Sequence, residues 1–520
     1  MAYRVNQVNK KTGVTYVYEA VSYWDKEKSQ SRNKQVCVGK IDPKTGIFIP
    51  SKRLDSKQAA ARDPDVKATA SIVGPSAVMD AITERLGLSK ILKSCIPEYY
   101  QQILSMVYYI TIRGGPLSHC ETWSKSHVHP YNKVLTSQRI SEILTSIQEN
   151  EMQSFFSKWS NKILENDYLC YDLTSVSSYS EQNEYVKYGY NRDKEKLKQI
   201  NLAMLFGQKS GLPIYYHRLP GSIGDVSTLH NFLATFKFQE FSKLHLVMDR
   251  GFYSQRNVDE LLQAKEKFIL GVPIKIKWVQ QAIDATHDAI YSPDGYRKID
   301  GETVYVHTQL HPWGKERRRC YIHLFYNAHS AADDFDKFTE ELLTYRQELE
   351  SGKLVKGHED EYKDFFIVKE TPIRGKSVEY NNDAITKYRN HYAGFFAILT
   401  DDIKDPVETL QIYRDKDVVE KCFDDLKNQL DMKRLRVHSS PAMDGRLFIQ
   451  FIAVIYMSAI RREMRKSDLI DQYSVHELLG EMETITKIRF SGKYGHILTE
   501  ITKSQRIILD SLKVDLPSSL

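Results

Sequence analysis

The sequence predicts an α/β protein built around a mixed β-sheet, and two observations support this. First, DYLCYDLTSV, LKQINLAMLF and LPIYYHRLP have the pattern of three consecutive strands. Second, the strand patterns KLHLVMD and KFILGV alternate with helical patterns, one of them VSTLHNFLATFKF (residues 226–238). A meander followed by βαβ units gives a mixed sheet flanked by helices. Carboxylates close the first and fourth strands, at Asp172 and Asp249.

Two regions precede this sheet. Residues 1–56 are predicted to form a small basic β-rich module. TYVYEAVSYW and KQVCVGKI are rich in β-forming residues, and residues 1–54 hold 11 Lys and Arg against 4 Asp and Glu. Residues 70–165 are predicted to be helical, after a polar linker at Lys57–Lys67. Ser137 is the expected cap of one of these helices. DNA binding and a purely structural role are both open for each region.

The rest of the chain interrupts the sheet and then returns to it. Residues 273–394 are predicted to be a β-rich insertion with one charged helix, and HYAGFFAILTDD has the pattern of a buried returning strand. The apolar run Leu447–Ile460 is too short to span a bilayer and is expected to be a buried core helix. Residues 466–520 are uninformative.

Composition and missing motifs exclude several classes of protein. The chain has 520 residues, 41% of them hydrophobic, a formal charge of only +6 and a polar start at Met1–Lys11, so a globular protein without a signal peptide or membrane span is expected. The six cysteines are scattered, which fits a reducing cytosol. The sequence contains no H-E-x-x-H, P-loop or G-x-S-x-G motif. Asp and Glu are therefore the best catalytic candidates.

The stretch YRDKDVVEKCFDDLK provides the third acidic candidate. At helical spacing, Tyr413, Lys416, Glu420 and Lys427 share one stripe, opposite Val418, Cys422 and Leu426. A carboxylate between two lysines suits a site that holds a cation beside a phosphate. A solvated helix with weak Glu–Lys pairs is the alternative.

The two aspartates can meet if the first and fourth strands lie side by side. With a third carboxylate from a helix, they form the kind of oxygen cage that holds two Mg²⁺ ions about 3.5–4 Å apart. Capping of the turn after each strand is the alternative role for either aspartate.

These motifs together resemble the bacterial insertion-sequence transposases of the DDE type, in particular the group with a Tyr–Arg–Glu–Lys (YREK) signature. The signature spacing falls on Tyr413, Lys416, Glu420 and Lys427, with Lys416 where the group has Arg. YDLTS around Asp172 and MDRGFYS around Asp249 match the first and second acidic motifs, and LRVHSSPAMDGRLFIQFIAV matches a downstream segment. The resemblance covers about residues 165–460.

The resemblance implies an RNase H-like core made of residues 166–272 and 395–465, with the insertion between them. It implies catalysis and metal binding by Asp172, Asp249 and Glu420 with two Mg²⁺ (or Mn²⁺) ions. It also implies DNA contacts by Tyr413, Lys416 and Lys427, to which Arg250 is added because it adjoins Asp249; a structural ion pair is the alternative for Arg250. Lys416 keeps the charge of the family's Arg but loses its bidentate fork. Arg414 faces another side of the predicted helix and does not replace it.

The expected function is cleavage of the ends of the protein's own mobile element and transfer of the strands to target DNA. The expected partners are the terminal inverted repeats and the target, with a homodimer in the DNA complex, in a bacterial cytoplasm. Two alternatives remain at this point: an RNase H-like nuclease or resolvase without strand transfer, and a catalytically silent DNA-binding regulator derived from a transposase.

Overall fold

The computed structural model describes most of the chain, in two compact units. The described residues are 2–25, 30–51, 68–164, 168–181, 183–193, 195–224, 226–230, 232, 244–371, 375–437, 439–490 and 495–516. The linker predicted at Lys57–Lys67 lies outside the described residues. So does most of the helix predicted at residues 226–238, of which residues 226–230 are described and helical. One unit comprises Met1–Thr69 and Ile488–Ile497, and the other comprises Ala70–Lys487 and Leu498–Ser519.

The smaller unit contains an antiparallel sheet of four strands in the order β1-β2-β3-β4. The strands are β1 (Ala2–Val8), β2 (Thr15–Asp25), β3 (Gln30–Ile41) and β4 (Phe48–Pro50). The sequence analysis predicts β2 and β3 but not β1, whose Arg, Asn and Gln residues weaken the strand pattern.

The larger unit begins with helices. A short strand, β5 (Ala68–Ile72), leads into α1 (Gly74–Leu86), α2 (Leu88–Cys95), α3 (Tyr100–Arg113), α4 (Cys120–Ser126), α5 (Ser137–Ser146) and α6 (Glu149–Ile163). The cap of α5 is Thr136, whose side chain accepts a hydrogen bond from the Arg139 amide at 3.3 Å, so the assignment to Ser137 was wrong by one residue.

A mixed sheet formed by ten of the described strands is the centre of the larger unit. In spatial order its main strands are β11 (Tyr296–Ile299), β12 (Glu302–Trp313), β13 (Arg318–Tyr326), β16 (Phe395–Thr400), β10 (Lys267–Val272), β9 (His245–Met248), β6 (Tyr168–Ser178), β7 (Gln199–Gly207) and β8 (Leu212–Pro220), and β17 (Arg434–Leu435) pairs with the end of β6. The first part of the chain supplies β6 (Tyr168–Ser178), β7 (Gln199–Gly207), β8 (Leu212–Pro220), β9 (His245–Met248), helix α7 (Gln255–Ala264) and β10 (Lys267–Val272). The β9 strand runs parallel to both β6 and β10, and the other long neighbours are antiparallel. The mixed sheet predicted from the strand order is confirmed.

The insertion contains more helix than the sequence analysis predicts. It consists of α8 (Lys277–Ile290), β11 (Tyr296–Ile299), β12 (Glu302–Trp313), β13 (Arg318–Tyr326), α9 (Ala328–Ser351), α10 (Glu359–Phe365), β14 (Phe366–Thr371), β15 (Gly375–Tyr380) and α11 (Asn382–His391). Helix α8 is obscured in the sequence by β-branched and aromatic residues, although Val279, Ile283 and Ile290 are buried at helical spacing. Strands β11–β13 extend the central sheet beside β16.

The last part of the larger unit closes the site and fills the core. It contains β16 (Phe395–Thr400), α12 (Pro406–Arg414), α13 (Asp417–Asp424), a π-helical turn (Asp425–Gln429), β17 (Arg434–Leu435), α14 (Ser440–Lys466), α15 (Val475–Met482) and α16 (Lys503–Leu512). Between α15 and α16, the strands β18 (Thr486–Phe490) and β19 (His496–Leu498) belong mostly to the smaller unit. Helix α14 is long and apolar enough to cross a membrane, but 94% of its most apolar stretch is buried in the protein. This confirms the predicted core helix.

Candidate active site

An acidic cleft opens where β9 ends and α13 passes the sheet. Its volume is about 330 Å³. The cleft is lined by the three predicted acids, Asp172, Asp249 and Glu420, together with Leu173, Thr174, Arg192, Gly251, Phe252 and Phe423. Side chains from β6, β9 and α13, far apart in the sequence, therefore face one space.

The pairing of β6 with β9 brings the two aspartates together. Tyr171 is the register partner of Met248, so Asp172 and Asp249 each occupy the next position along adjacent parallel strands. The prediction that Asp172 ends its strand was wrong. Strand β6 continues to Ser178 because it pairs with β7. Its neighbour β9 ends at Met248, and this leaves the cleft open beside Asp172.

Glu420 reaches the cleft because the other face of α13 is buried. The buried residues of α13 are Val419, Cys422 and Phe423. The sequence predicts Val418 on this apolar face, and the structure has Val419 there instead. The Glu420 side chain remains 63% exposed, and its Oε1 lies 3.3 Å from Lys416 Nζ.

Tyr413 positions Asp249 with its hydroxyl group, and its ring lies close to the backbone of Gly271 on β10. The Tyr413 hydroxyl donates a hydrogen bond to Asp249 Oδ1 at 2.8 Å. The ring fits over β10 only because residue 271 is glycine: a Cβ atom there would lie 2.5 Å from Tyr413 Oη and 2.9 Å from the Arg250 amide nitrogen. Gly271 thus makes room for the tyrosine.

The two aspartates have opposite electrostatic environments. Burial raises the pKa of Asp172 to about 6, against the smaller lowering effects of its hydrogen bond from the Leu173 amide and of the Arg192 charge. Burial also acts on Asp249, but the Lys416 charge and the Tyr413 hydrogen bond outweigh it and lower the pKa of Asp249. Lys416 is itself largely buried; desolvation acts against its charge, yet Asp249 and Glu420 together raise its pKa.

The donor set fits hard divalent cations, although it is not gathered into a finished cage. Carboxylate oxygens are the ligands that Mg²⁺ and Mn²⁺ prefer. Asp172 accepts a hydrogen bond from the Leu173 amide at 2.7 Å and lines the cleft. In the described part of the chain, no three His, Cys, Asp or Glu side chains lie close enough together to hold a metal ion. Glu420 instead pairs with Lys416.

The stretch that carries the signature is not one continuous helix. Helix α12 ends at Arg414, α13 begins at Asp417, and the wider π-helical turn follows at Asp425. The single stripe predicted from helical spacing is therefore broken. Lys416, at the junction, lies 5.4 Å from the centre of the Tyr413 ring.

The other predicted DNA-contacting residues lie outside the carboxylate cleft. Lys427, on the π-helical turn, is only 11% exposed and pairs with Asp193 at 2.8 Å. Arg250 follows Asp249 on a short 3₁₀ turn, is exposed, and makes no ion pair of 4.0 Å or less with another described residue. Arg414 pairs with Asp300 and Glu302 of the insertion at 3.0 and 2.8 Å. Arg414 is therefore occupied elsewhere, as its helical position suggests.

Sequence reasoning missed two residues of the site. Gly271 could have been found, because a glycine inside an apolar strand indicates close approach of another group. Arg192 lies in a polar segment with no local signal. It enters the cleft because its amide donates to Ser175 Oγ at 3.0 Å and the neighbouring Asn191 side chain donates to Ser177 Oγ at 3.1 Å.

Comparison with known families identifies the class of protein. Residues 165–456, more than half of the chain, match the family described as Transposase DDE domain. The chain therefore belongs to the DDE transposase family. A comparison with curated proteins finds no significant sequence match. Among solved structures, a cryo-EM structure of a piggyBac transposase synaptic complex with hairpin DNA is similar, with 11% identity and a TM-score of 0.33, over 78% of this chain and 70% of that one.

Proposed function

We propose that this DDE transposase is an insertion-sequence enzyme of the YREK group that cuts the ends of its own element and joins them to target DNA. The observation that supports this most directly is the meeting of Asp172, Asp249 and Glu420 in one cleft, beside Tyr413 and Lys416. Phosphoryl transfer needs little covalent help from a protein, so positioned charge is the main requirement.

Asp172, Asp249 and Glu420 are proposed to hold two Mg²⁺ or Mn²⁺ ions. Such a pair of ions supplies activation of the attacking oxygen and stabilisation of the leaving oxygen. Glu420 has to leave Lys416 to take part, and its exposed position allows this. Asp172 has to lose its proton, which its raised pKa of about 6 permits at neutral pH.

Tyr413, Lys416, Arg250 and Lys427 are proposed to hold phosphates of the element end. Release of Glu420 frees the Lys416 ammonium, which then faces the cleft as a point charge rather than a bidentate fork. Lys427 has to exchange Asp193 for a phosphate. Arg250 is already exposed beside Asp249.

A Glu420→Gln variant tests the catalytic assignment. We expect loss of Mg²⁺-dependent strand cleavage with duplex binding nearly unchanged, because only a carboxylate is removed from an exposed site. The matched control is Glu408→Gln, which alters an exposed glutamate on α12. Normal cleavage by Glu420→Gln would show that the assignment is wrong.

Pre-cut element ends incubated with a supercoiled target separate the transposase from the two alternatives. Joined products support strand transfer. Cleavage without joined products indicates a nuclease or resolvase, and binding without any nicking indicates a silent regulator. Inverted repeats flanking the gene in a bacterial genome would support the insertion-sequence origin.

The assembly and domain roles are also proposals. We propose a homodimer that holds two element ends, with residues 1–56 and 70–165 available for DNA contact and residues 166–272 and 395–465 forming an RNase H-like core. Light scattering of the protein with terminal-repeat duplex tests the assembly: a complex with the mass of two chains and two duplexes is expected, and a complex with the mass of one chain and one duplex would contradict the proposal.

A further inference from the structure

A second cavity, separate from the acidic cleft, is rich in arginine. It has a volume of about 340 Å³ and lies between the turn after α3, helix α5, the segment around β17 and the start of α14. Three arginines line it, Arg434, Arg436 and Arg446, and among the described residues the one lining carboxylate is that of Asp431. We call this cavity the arginine pocket.

Arg446 is the central feature of the arginine pocket. It is buried, with 8% of its surface exposed, and lies in the first turns of α14. It makes no hydrogen bond, and no ion pair of 4.0 Å or less, with any other described residue. A guanidinium carries five donors, and those of Arg446 are left to water or to a bound anion in the pocket that the side chain lines.

The charges around Arg446 do not neutralise it. Burial lowers the pKa of Arg446 to about 10, with Asp431 opposing this, so it remains charged at neutral pH. Asp431 lies 4.0 Å from Arg436, and Arg434 is bound to Glu195 at 2.9 Å. One lining carboxylate thus faces three guanidinium groups, and among the described residues that of Arg446 has no ion-pair partner within 4.0 Å, whereas Arg434 pairs with Glu195 and Arg436 with Asp431.

The chemistry of the pocket favours an oxyanion such as phosphate. The guanidinium fork matches phosphate in a bidentate way, and desolvation strengthens such contacts. A metal ion is disfavoured by the positive charge, and the exposed rim arginine, Arg436, leaves the entrance positively charged.

The position of the arginine pocket relates it to the acidic cleft. Strand β17, which carries Arg434, pairs in parallel with Ser177 and Ser178 at the end of β6. Asp172 lies on the same strand, five residues before Ser177, which corresponds to about 17 Å along an extended strand.

We propose that the arginine pocket binds a phosphate group of the DNA backbone and so fixes the position of the DNA relative to the acidic cleft. A free phosphate ion presents the same oxygens as a DNA phosphate. The choice of DNA as the ligand therefore rests on the proposed function. Arg446 is in this view a DNA-positioning residue and takes no part in the chemical step.

The first test uses inorganic phosphate. We expect millimolar phosphate to raise the melting temperature of the full-length protein above its value in chloride of equal ionic strength. The Arg446→Met variant, which keeps an unbranched side chain without the charge, should lose this effect. The control Arg346→Gln removes an exposed arginine of the insertion and should keep it. Equal phosphate effects in all three proteins would overturn the proposal.

The second test uses duplex DNA with the element end. Arg446→Met should weaken duplex binding by about 10–100-fold, because one desolvated phosphate contact is lost. The slope of log affinity against log salt concentration should become shallower by about one released ion. If the phosphate effect disappears in Arg446→Met while duplex affinity is unchanged, the pocket binds a free anion and the DNA proposal is wrong.

A rim variant keeps the proposal testable if Arg446→Met fails to fold. Arg436→Gln changes a side chain that is 64% exposed and should weaken duplex binding in the same direction. Unchanged affinity in that variant would overturn the proposal. Two outcomes separate the hypotheses. If DNA binding depends on Arg446 but the protein never cleaves DNA, only the proposed function is contradicted. If Arg446→Met binds and cleaves DNA normally, only the role of the arginine pocket is contradicted.

Discussion

Asp172 and Asp249 are neighbours in space, yet the protein treats their charges differently. Asp172 is partly buried in the wall of the cleft and accepts one backbone hydrogen bond, whereas Asp249 accepts a hydrogen bond from the Tyr413 hydroxyl and lies in the field of Lys416. Of the two carboxylates, Asp172 is therefore the one whose charge the fold stabilises less. Strain of this kind is common where a protein prepares a site for a ligand.

The raised pKa of Asp172 predicts a pH-dependent gain in stability on its replacement. Its pKa in the folded state, about 6, lies above its ordinary value of 3.8, so ionisation destabilises the fold progressively as pH rises between these values. Asp172→Asn should therefore increase the free energy of unfolding above pH 6 by about 1–3 kcal/mol in metal-free buffer.

Urea unfolding at pH 5 and pH 8 in a chelator measures this difference. Asp249→Asn provides the opposite case: the lowered pKa of Asp249 means that its charge stabilises the fold above its ordinary pKa, and that this stabilisation is lost as pH falls. Asp249→Asn should then be destabilising at pH 8. The same sign for both variants would contradict the assigned environments.

Gly271 predicts the effect of one added methyl group. Gly271→Ala places a Cβ against the Tyr413 hydroxyl and the Arg250 amide, and should cost about 1–3 kcal/mol of stability. The displaced tyrosine loses its hydrogen bond to Asp249, so the cleavage rate should also fall. Kinetics of Gly271→Ala, Tyr413→Phe and the double variant test this, since effects that pass through one hydrogen bond do not add. Additive losses would argue against a shared cause.

At the scale of elements, ion pairs connect the π-helical turn and β17 to the segment before β7, which contains Asp193 and Glu195. Lys427 on the turn pairs with Asp193, and Arg434 on β17 pairs with Glu195. The Asn191 side chain accepts hydrogen bonds from the amides of Asp193 and Glu195 at 2.9 and 3.2 Å. These contacts fix the segment that carries Arg192 into the cleft.

The pair of Lys427 with Asp193 predicts a measurable coupling. In a double-mutant cycle with Asp193→Asn and Lys427→Met, urea unfolding should give a coupling energy of about 1–2 kcal/mol, because the pair is largely shielded from water. Asp193→Asn should also tighten duplex binding, since it releases Lys427 for a phosphate. Zero coupling, or weaker DNA binding by Asp193→Asn, would contradict this view.

At the scale of the larger unit, α14 joins the helical region to the sheet. Phe448 on α14 lies against Phe155 of α6, with ring centres 5.1 Å apart, and Phe156 of α6 lies 5.3 Å from Tyr216 of β8. Tyr456 is hydrogen-bonded to Thr83 of α1 at 2.5 Å. Helices and sheet thus share one hydrophobic core.

This shared core predicts cooperative unfolding of the larger unit. Gly445 of α14 lies against the Leu144 carbonyl of α5, where a Cβ would clash with backbone. Gly445→Ala should lower the temperature of a single calorimetric transition that includes both the helices and the sheet, at a cost of about 1–3 kcal/mol. Gly480→Ala on α15, which meets no atom within 4 Å, is the control and should be neutral or stabilising. Separate transitions for helices and sheet would contradict the prediction.

The sequence alone determined the features that depend on local pattern. The order of the strands along the chain and the buried character of α14 follow from periodicity. The sequence leaves the adjacency of β6 and β9 as a possibility, and the pairing of Tyr171 with Met248 shows that it is realised. The acids that line the cleft were visible because each lies in a recognisable segment.

Only the tertiary structure decided the features that depend on partners distant in sequence. Pairing with β7 carries β6 past Asp172, and the break between α12 and α13, with the π-helical turn, sends Lys427 to Asp193 instead of to the cleft. Pairing with β16 makes β13 part of the central sheet. A residue's own neighbours cannot specify such contacts, because register and ion pairing are fixed by whichever surface the folded chain places opposite.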